Sequence, residues 1–183
     1  PTVQAQVDIM ATITSPAYWT APNLLPIIVF RLMQIFAKYG NTGFSPYIYA
    51  GYGFILCTLF DMDNGYAFGQ MALSLLNRMN IPQYRARTEM VANTFIRHWK
   101  EHAVNATEPL LQAYKNGLDN GDIEFAGHSL MVRGYTQFLL AAPLEELDIE
   151  FEKNEESLSR LGQVTNLNVA CMYHQAALNL RGL

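Results

Sequence analysis

His98 and His102, in the stretch HWKEH, are the residues whose type and spacing first suggest chemistry. Imidazoles four positions apart on a helix lie one turn from each other and can share a metal ion. HWKEH is not the zinc-protease arrangement, however, and the sequence places no third ligand nearby. Two partly exposed rings beside Trp99, holding no metal, are expected. His128 and His174 sit in apolar helical stretches, where a histidine is usually hydrogen-bonded to a neighbour in the core; an all-α enzyme would have to use one of them. Glu145, Glu146, Asp148, Glu150, Glu152, Glu155 and Glu156 form an acidic run. Paired carboxylates can do acid/base work. These are spread round a helix whose other side carries Leu147, Phe151 and Leu158, so a solvated face is expected, or a contact surface for a basic partner. No GxSxG, no glycine loop followed by lysine and no kinase catalytic-loop pattern is present. GYGF after Ala50 lies inside a helical pattern and cannot cradle phosphate. No catalytic residue, cofactor or metal is therefore assigned, and the chain is not expected to be an enzyme.

What remains is binding. Tyrosine and phenylalanine number ten each, and Tyr47, Tyr49, Tyr52 and Phe54 cluster in one predicted helix. Some should fill gaps between helices; the rest could line a groove, where aromatic anchors carry binding energy. The candidate interaction surface is Tyr47, Phe54, Glu145, Glu146 and Glu150.

The elements that must position these residues are helices. The chain has 183 residues, half of them hydrophobic and 15% charged. That suits one folded domain, 1–183, with a sizeable core, and is too apolar for disorder. The net charge of −4 and the lack of any Lys/Arg-rich run argue against nucleic acid as a partner. Cys57 and Cys171 make neither a disulfide framework nor a zinc pattern; reduced, buried thiols in a cytoplasmic protein are expected. The start at Pro1 suggests a fragment of a larger multidomain protein. Gly40 to Phe60 carries no charge, yet Asn41, Thr42, Ser45, Pro46 and its glycines argue for a buried helix and against a membrane span.

About nine helices and no strand are expected. Val3–Thr14 is the first, followed by a break bracketed by Pro16 and Pro22. Leu24–Tyr39 is the second, with Ile28, Leu32, Ile35 and Tyr39 on one face. Ser45, as a cap, and Pro46 begin a third that runs to about Phe60. Asp61 to Asn64 turns the chain into a fourth, which ends before Pro82. Gln83–His102 follows, with Met90, Phe95 and Trp99 turned to the core. Glu108–Leu118, Ile123–Leu140, Leu144–Leu161 and Gln163–Leu180 complete the set. Short connections make neighbours antiparallel hairpins.

Small residues mark where such hairpins cross. Gly53, Gly65 and Ala72 stand in the relation 8, 20 and 27 of a tetratricopeptide (TPR) unit. YAGY at Tyr49–Tyr52 recurs as FAGH at Phe125–His128, a separation that two hairpins of about 38 residues would span, near the 34 of a TPR unit. The expected fold is all-α: TPR-like antiparallel hairpins stacked into a right-handed superhelix. Stacks of this kind usually bind proteins.

Several stretches, in order, carry a family resemblance: YGNTGFSPYIYAGYGFIL, DMDNGYAFGQMALSLL, a helix with Trp99, LLQAYKNGLDNGDIEFAGHSL and MYHQAALNLRGL. From about Leu24 to Leu183 the chain resembles the helical region that follows the AAA-like ATPase module in very large bacterial hybrid signalling proteins. Those proteins combine a Ser/Thr kinase, the ATPase, the helical array, a GAF sensor and a histidine kinase. GLDNGDIEFAGH and YHQAALNL are the most specific pieces. They are turn and packing motifs, so they imply a region and carry over no catalytic residue. The resemblance implies a non-catalytic platform that couples an upstream nucleotide switch to downstream modules or docks a protein regulator. The alternative is a small-molecule sensor with an aromatic pocket between helices.

Overall fold

A computed structural model describes residues 2–182. Among them every regular element is helical. The α-helices are α1 (Thr2–Thr12), α2 (Thr14–Thr20), α3 (Leu24–Tyr39), α4 (Ser45–Thr58), α5 (Met62–Met79), α6 (Arg85–Val91), α7 (Thr107–Asn120), α8 (Ile123–Leu139), α9 (Leu144–Arg160) and α10 (Val164–Arg181). Helical hydrogen bonds run through Ile13, from Ile13 N–H to the Ile9 carbonyl and from Ala17 N–H to the Ile13 carbonyl, so α1 and α2 form one bent element. The expected break at Pro16 is absent, because a proline in the first turn of a helix forfeits no needed donor. The chain leaves the helix at Ala21 instead.

Local chemistry sets most ends. Asp61 caps α5, its carboxylate accepting from the Asn64 backbone and side chain. Asn80, in the left-handed region at φ 49°, ends α5 ahead of Pro82. Gly121 at φ 76° ends α7, and the Asp122 N–H closes back on the Gly117 carbonyl at 2.9 Å, a turn that glycine adopts without strain. Ser45 does not cap: it is already helical, and its hydroxyl accepts from the Thr42 N–H.

The helix expected over Gln83–His102 is not uniform. A short 3-10 turn precedes α6, and α6 widens into a π-helical stretch at Ala92–Ile96 and tightens again at Arg97–Trp99. The widened turn has a packing reason. It drives Ile96, 1% exposed, into the slot between the glycines of α4 and α5. A Cβ on Gly53 would lie 3.0 Å from the Ile96 side chain, and one on Gly69 would lie 2.9 Å from it. A π-bulge is the usual way to re-aim one residue within a continuing helix. The change of phase turns Trp99 outward: it is 43% exposed, against the expectation of a core contact, while Met90 is buried.

Close crossings recur along the chain. Gly53 and Gly65 bring α4 and α5 together, Gly117 meets Ala126 between α7 and α8, and Gly134 meets Phe151 between α8 and α9. Helices approach this nearly only where side chains are short. The YAGY and FAGH copies pack differently, however. Gly51 faces Val29 of α3 at ordinary distance, whereas Gly127 is pressed against Gln163 and Asn166 at the start of α10. Helices α9 and α10 run antiparallel: His174 pairs with Glu155, and Arg181, seven residues on, pairs with Asp148. Ile28, Leu32 and Ile35 are buried along α3, and Tyr39 at its end is 58% exposed. One further expectation fails: Cys171 is exposed, while Cys57 is buried.

Candidate functional site

A concavity of about 280 Å³ lies between α2, α3, α4, the α6–π segment and α8. Its walls mix aromatic rings with aliphatic side chains such as Val29, Ile48, Met90 and Val132. Tyr18 and Trp19 come from α2, Tyr47 and Phe54 from α4, Phe95 from the π stretch, and Phe125, His128 and Tyr135 from α8. Phe54 and Phe95 pack with ring centroids 4.7 Å apart, and Tyr18 sits 5.8 Å from Phe95. Tyr47 meets Phe125 edge to face at 5.6 Å. Edge-to-face and tilted pairs of this kind hold rings apart at fixed angles.

The helices around it are tied by a few polar contacts. The Thr14 and Tyr47 hydroxyls are hydrogen-bonded at 3.0 Å, joining α2 to α4. Burial pushes the Tyr47 phenol up to about 12, against the lowering effect of the Thr14 hydrogen bond and the Arg87 charge. The Ser15 hydroxyl donates to Glu124, joining α2 to α8. Glu124 is held below the usual carboxylate range by the His128 ring first and by Ser15 as well, which outweigh its desolvation.

Both His128 ring nitrogens have partners: Nδ1 lies 2.9 Å from the Asn166 side-chain oxygen, whose amide nitrogen bonds Gln163, and Nε2 faces Glu124 at 3.8 Å. Trp19 lies against the His128 ring at 6.1 Å and is 59% exposed, at the mouth of the cavity.

Behind the Tyr47–Phe125 wall lies a buried ion pair. Arg87 donates from Nε and Nη2 to the two Asp122 oxygens at 2.8 and 3.0 Å, a bidentate fork. The guanidinium is enclosed by Phe44, Tyr47, Tyr84 and Phe125, with centroids 4.9 to 6.0 Å away. Each part of the GLDNGD turn has its use. Gly117 lets α7 pass close to α8, Gly121 makes the turn, and Asp122 anchors Arg87. Sequence reasoning misses Arg87, since nothing in RARTEM distinguishes it from Arg85 or from a solvated arginine.

The candidate residues fall in three places. Tyr47 is 7% exposed and belongs to the cavity wall, not to an open surface, because its ring is wedged between Phe125 and Arg87. Phe54 lines the same cavity. Glu145 and Glu146 are exposed on the first turn of α9, as expected of a solvated face. Glu150 is not free: it pairs with Arg133 of α8, because the turn of α9 that carries it faces α8.

His98 and His102 are not brought together as ligands. His98 Nδ1 faces the Thr94 carbonyl at 3.0 Å, and His102 Nδ1 accepts from the Val104 N–H. No group of three metal-ligating side chains is assembled among the described residues. His174 is a core histidine with both ring nitrogens engaged, by Glu155 and by Asp148, each at 2.8 Å. Among the described residues, no helix is long and apolar enough to cross a membrane.

The chain is similar to a stretch of hybrid signal transduction histidine kinase G of Dictyostelium discoideum, 22% identical over 149 residues. That alignment covers 80% of this chain and 4% of the relative's length. No family model matches the chain, and no solved structure matches it.

Proposed function

We propose that this chain is a non-catalytic helical module of a multidomain signal-transduction protein, built as a TPR-like stack of hairpins and working by contact with neighbouring protein modules. The observation that carries the reading is the similarity of most of the chain to a stretch of a hybrid signal transduction histidine kinase. The use of the residues supports it. Glycines serve helix crossings, and His174, Arg87 and the acidic residues facing them tie helices together. A rigid array is what a mechanical coupler between an ATPase and a sensor or kinase module requires.

In this reading the partner is protein, either modules of the same chain or a regulator, and neither nucleic acid nor membrane takes part. The exposed acidic start of α9, Glu145 and Glu146, is the contact surface. The test is association of the chain with the modules flanking it in its parent protein, measured by calorimetry at low and high salt. Glu145→Lys with Glu146→Lys should weaken that association, and added salt should weaken the wild-type contact. If neither module binds at low salt and deletion of the segment leaves kinase output and its regulation unchanged, the reading fails.

One observation favours a second reading. The aromatic cavity, with polar groups converging at its mouth, is the form a small-molecule sensor takes. In that reading a ligand bound there, and not a neighbouring module alone, sets the state of the array.

A further inference from the structure

We propose that the cavity between α2, α4 and α8 is the binding site for an uncharged, flat, largely apolar ring compound, with Tyr18 and Tyr135 at its edge to exchange one hydrogen bond with the ligand. This rests on the sensor reading and adds the class of ligand.

Size restricts the guest first. Native interiors are packed to crystal density, with few voids larger than one water. This space of about 280 Å³ opens to solvent beside Trp19, so it is a cleft between helices and not a packing void. It is roughly twice the volume of an apolar cavity of 150 Å³ known to hold benzene, so it suits about 10–15 non-hydrogen atoms, or two fused or linked rings.

Shape follows from the walls. Phe54 and Phe95 make one wall, Tyr47 and Phe125 another, each pair fixed by its own ring–ring geometry. A planar guest presents both faces and edges to such rings, and a flexible chain would lose rotamer freedom for the same area.

Charge is decided by what is missing from the walls. His128 is the single side chain in the lining able to carry charge near neutral pH, and its partners are already set by Asn166 and Glu124. The nearest strong cation, Arg87, is committed to Asp122 behind Tyr47. An anionic guest would shed its hydration and find no counter-ion, and the one carboxylate near the mouth, Glu124, is already held by Ser15 and His128, so an uncharged guest is favoured. Some polarity is still accommodated. Tyr18 from α2 and Tyr135 from α8 line the cavity, and a tyrosine hydroxyl both donates and accepts.

The mouth carries an exposed indole. Trp19 leans on His128 in the short helix α2, which is fastened to the body through Thr14–Tyr47 and Ser15–Glu124. Its indole is therefore a reporter placed at the entrance.

The test uses the 183-residue chain with Trp99→Phe, which leaves Trp19 as its one tryptophan. It is titrated with 2-naphthol, naphthalene, naphthalene-2-sulfonate and glucose, followed by Trp19 fluorescence and by calorimetry. Saturable 1:1 binding of 2-naphthol is expected, with the sulfonate at least about tenfold weaker and glucose silent. Tyr135→Phe should weaken 2-naphthol several-fold and leave naphthalene unchanged, a difference that a merely structural role would not produce. Thr94→Phe, which fills the cavity from the π stretch, should abolish binding; because it could also unfold the chain, circular dichroism is recorded alongside, and Gly51→Leu serves as a second filler from α4. Stronger binding of the sulfonate or of glucose would overturn the ligand class and leave the sensor reading standing. No saturable binding of any probe would overturn both.

Discussion

Adding one methyl group to helix α4 should have opposite effects at two positions two residues apart. At Gly53 a Cβ would lie 2.7 Å from the Gly65 carbonyl oxygen, 3.0 Å from Ile96 Cδ1 and 3.2 Å from Phe68 Cβ. The first of these is backbone and cannot swing away. Ordinary carbon–oxygen contacts begin at about 3.3 Å, so α4 and α5 must part by roughly half an ångström along their crossing. Overfilling a packed site costs about 1–3 kcal/mol. Replacing a helical glycine with alanine gains about 1 kcal/mol. Because the closest contact is with backbone, the upper end of that cost applies, and Gly53→Ala should lose up to about 2 kcal/mol net, Gly53→Leu more.

At Gly51 the nearest atom to an added Cβ is Val29 Cγ2 at 3.7 Å, an ordinary contact. The propensity gain stands alone there, and Gly51→Ala should gain about 0.5–1 kcal/mol. For a chain of this size 1 kcal/mol moves Tm by about 2–4 °C. The two variants should therefore bracket wild type in a thermal melt followed by far-UV circular dichroism, and urea denaturation should give the same order. If Gly53→Ala is as stable as wild type, or if the two changes shift Tm in the same direction, the α4–α5 crossing is not as tight as these distances require.

Three other outcomes are expected. Burial disfavours the charged His174 ring, but Asp148 and Glu155 override it and raise its pKa above the ordinary value; a group raised on folding stabilises fully below its unfolded value near 6.5 and loses that contribution as pH climbs through the folded one. Tm should fall as pH rises from about 6.5, and His174→Gln should flatten that slope; a wild-type melt independent of pH across this window would refute the cluster's role. Asp122→Ala strands the Arg87 guanidinium among four aromatic rings, so urea denaturation should show a loss of about 3 kcal/mol or more, whereas loss within about 0.5 kcal/mol would mean the pair is not buried in solution. Glu145→Lys with Glu146→Lys should stay within about 0.5 kcal/mol of wild type, while Glu150→Lys, which sets a cation against Arg133, should lose about 1–2 kcal/mol in the same assay; equal effects would place Glu150 on the free surface.

Helix identity and most helix ends are legible along the chain because they depend on near neighbours. Asp61 accepts from residues three positions on, Asn80 and Gly121 supply left-handed turns, and Pro82 stops α5. The close pass at Gly53 and Gly65 can be read as well, since a small residue in each of two consecutive helices has few other uses. The bend through α1 and α2 is misplaced when Pro16 is weighed as a breaker without its position in the turn. The Glu150 contact is missed because a glutamate's spacing does not say which helix lies opposite.

The cavity and the clusters beside it depend on residues brought together from far apart. Arg87 and Asp122 belong to α6 and the turn before α8, His174 meets Asp148 and Glu155 across α9, and Tyr47 is buried by Phe125 and Thr14 from the two sides. None of these contacts joins residues within one helical turn of each other, so no periodicity marks them. Local propensity decides where a helix starts and which residues are small enough for a crossing. Which aromatic ring ends in the core, which lines the cavity and which, like Trp99, faces water follows from the phase of each helix when packed. A single widened turn at Ala92–Ile96 is enough to reset that phase.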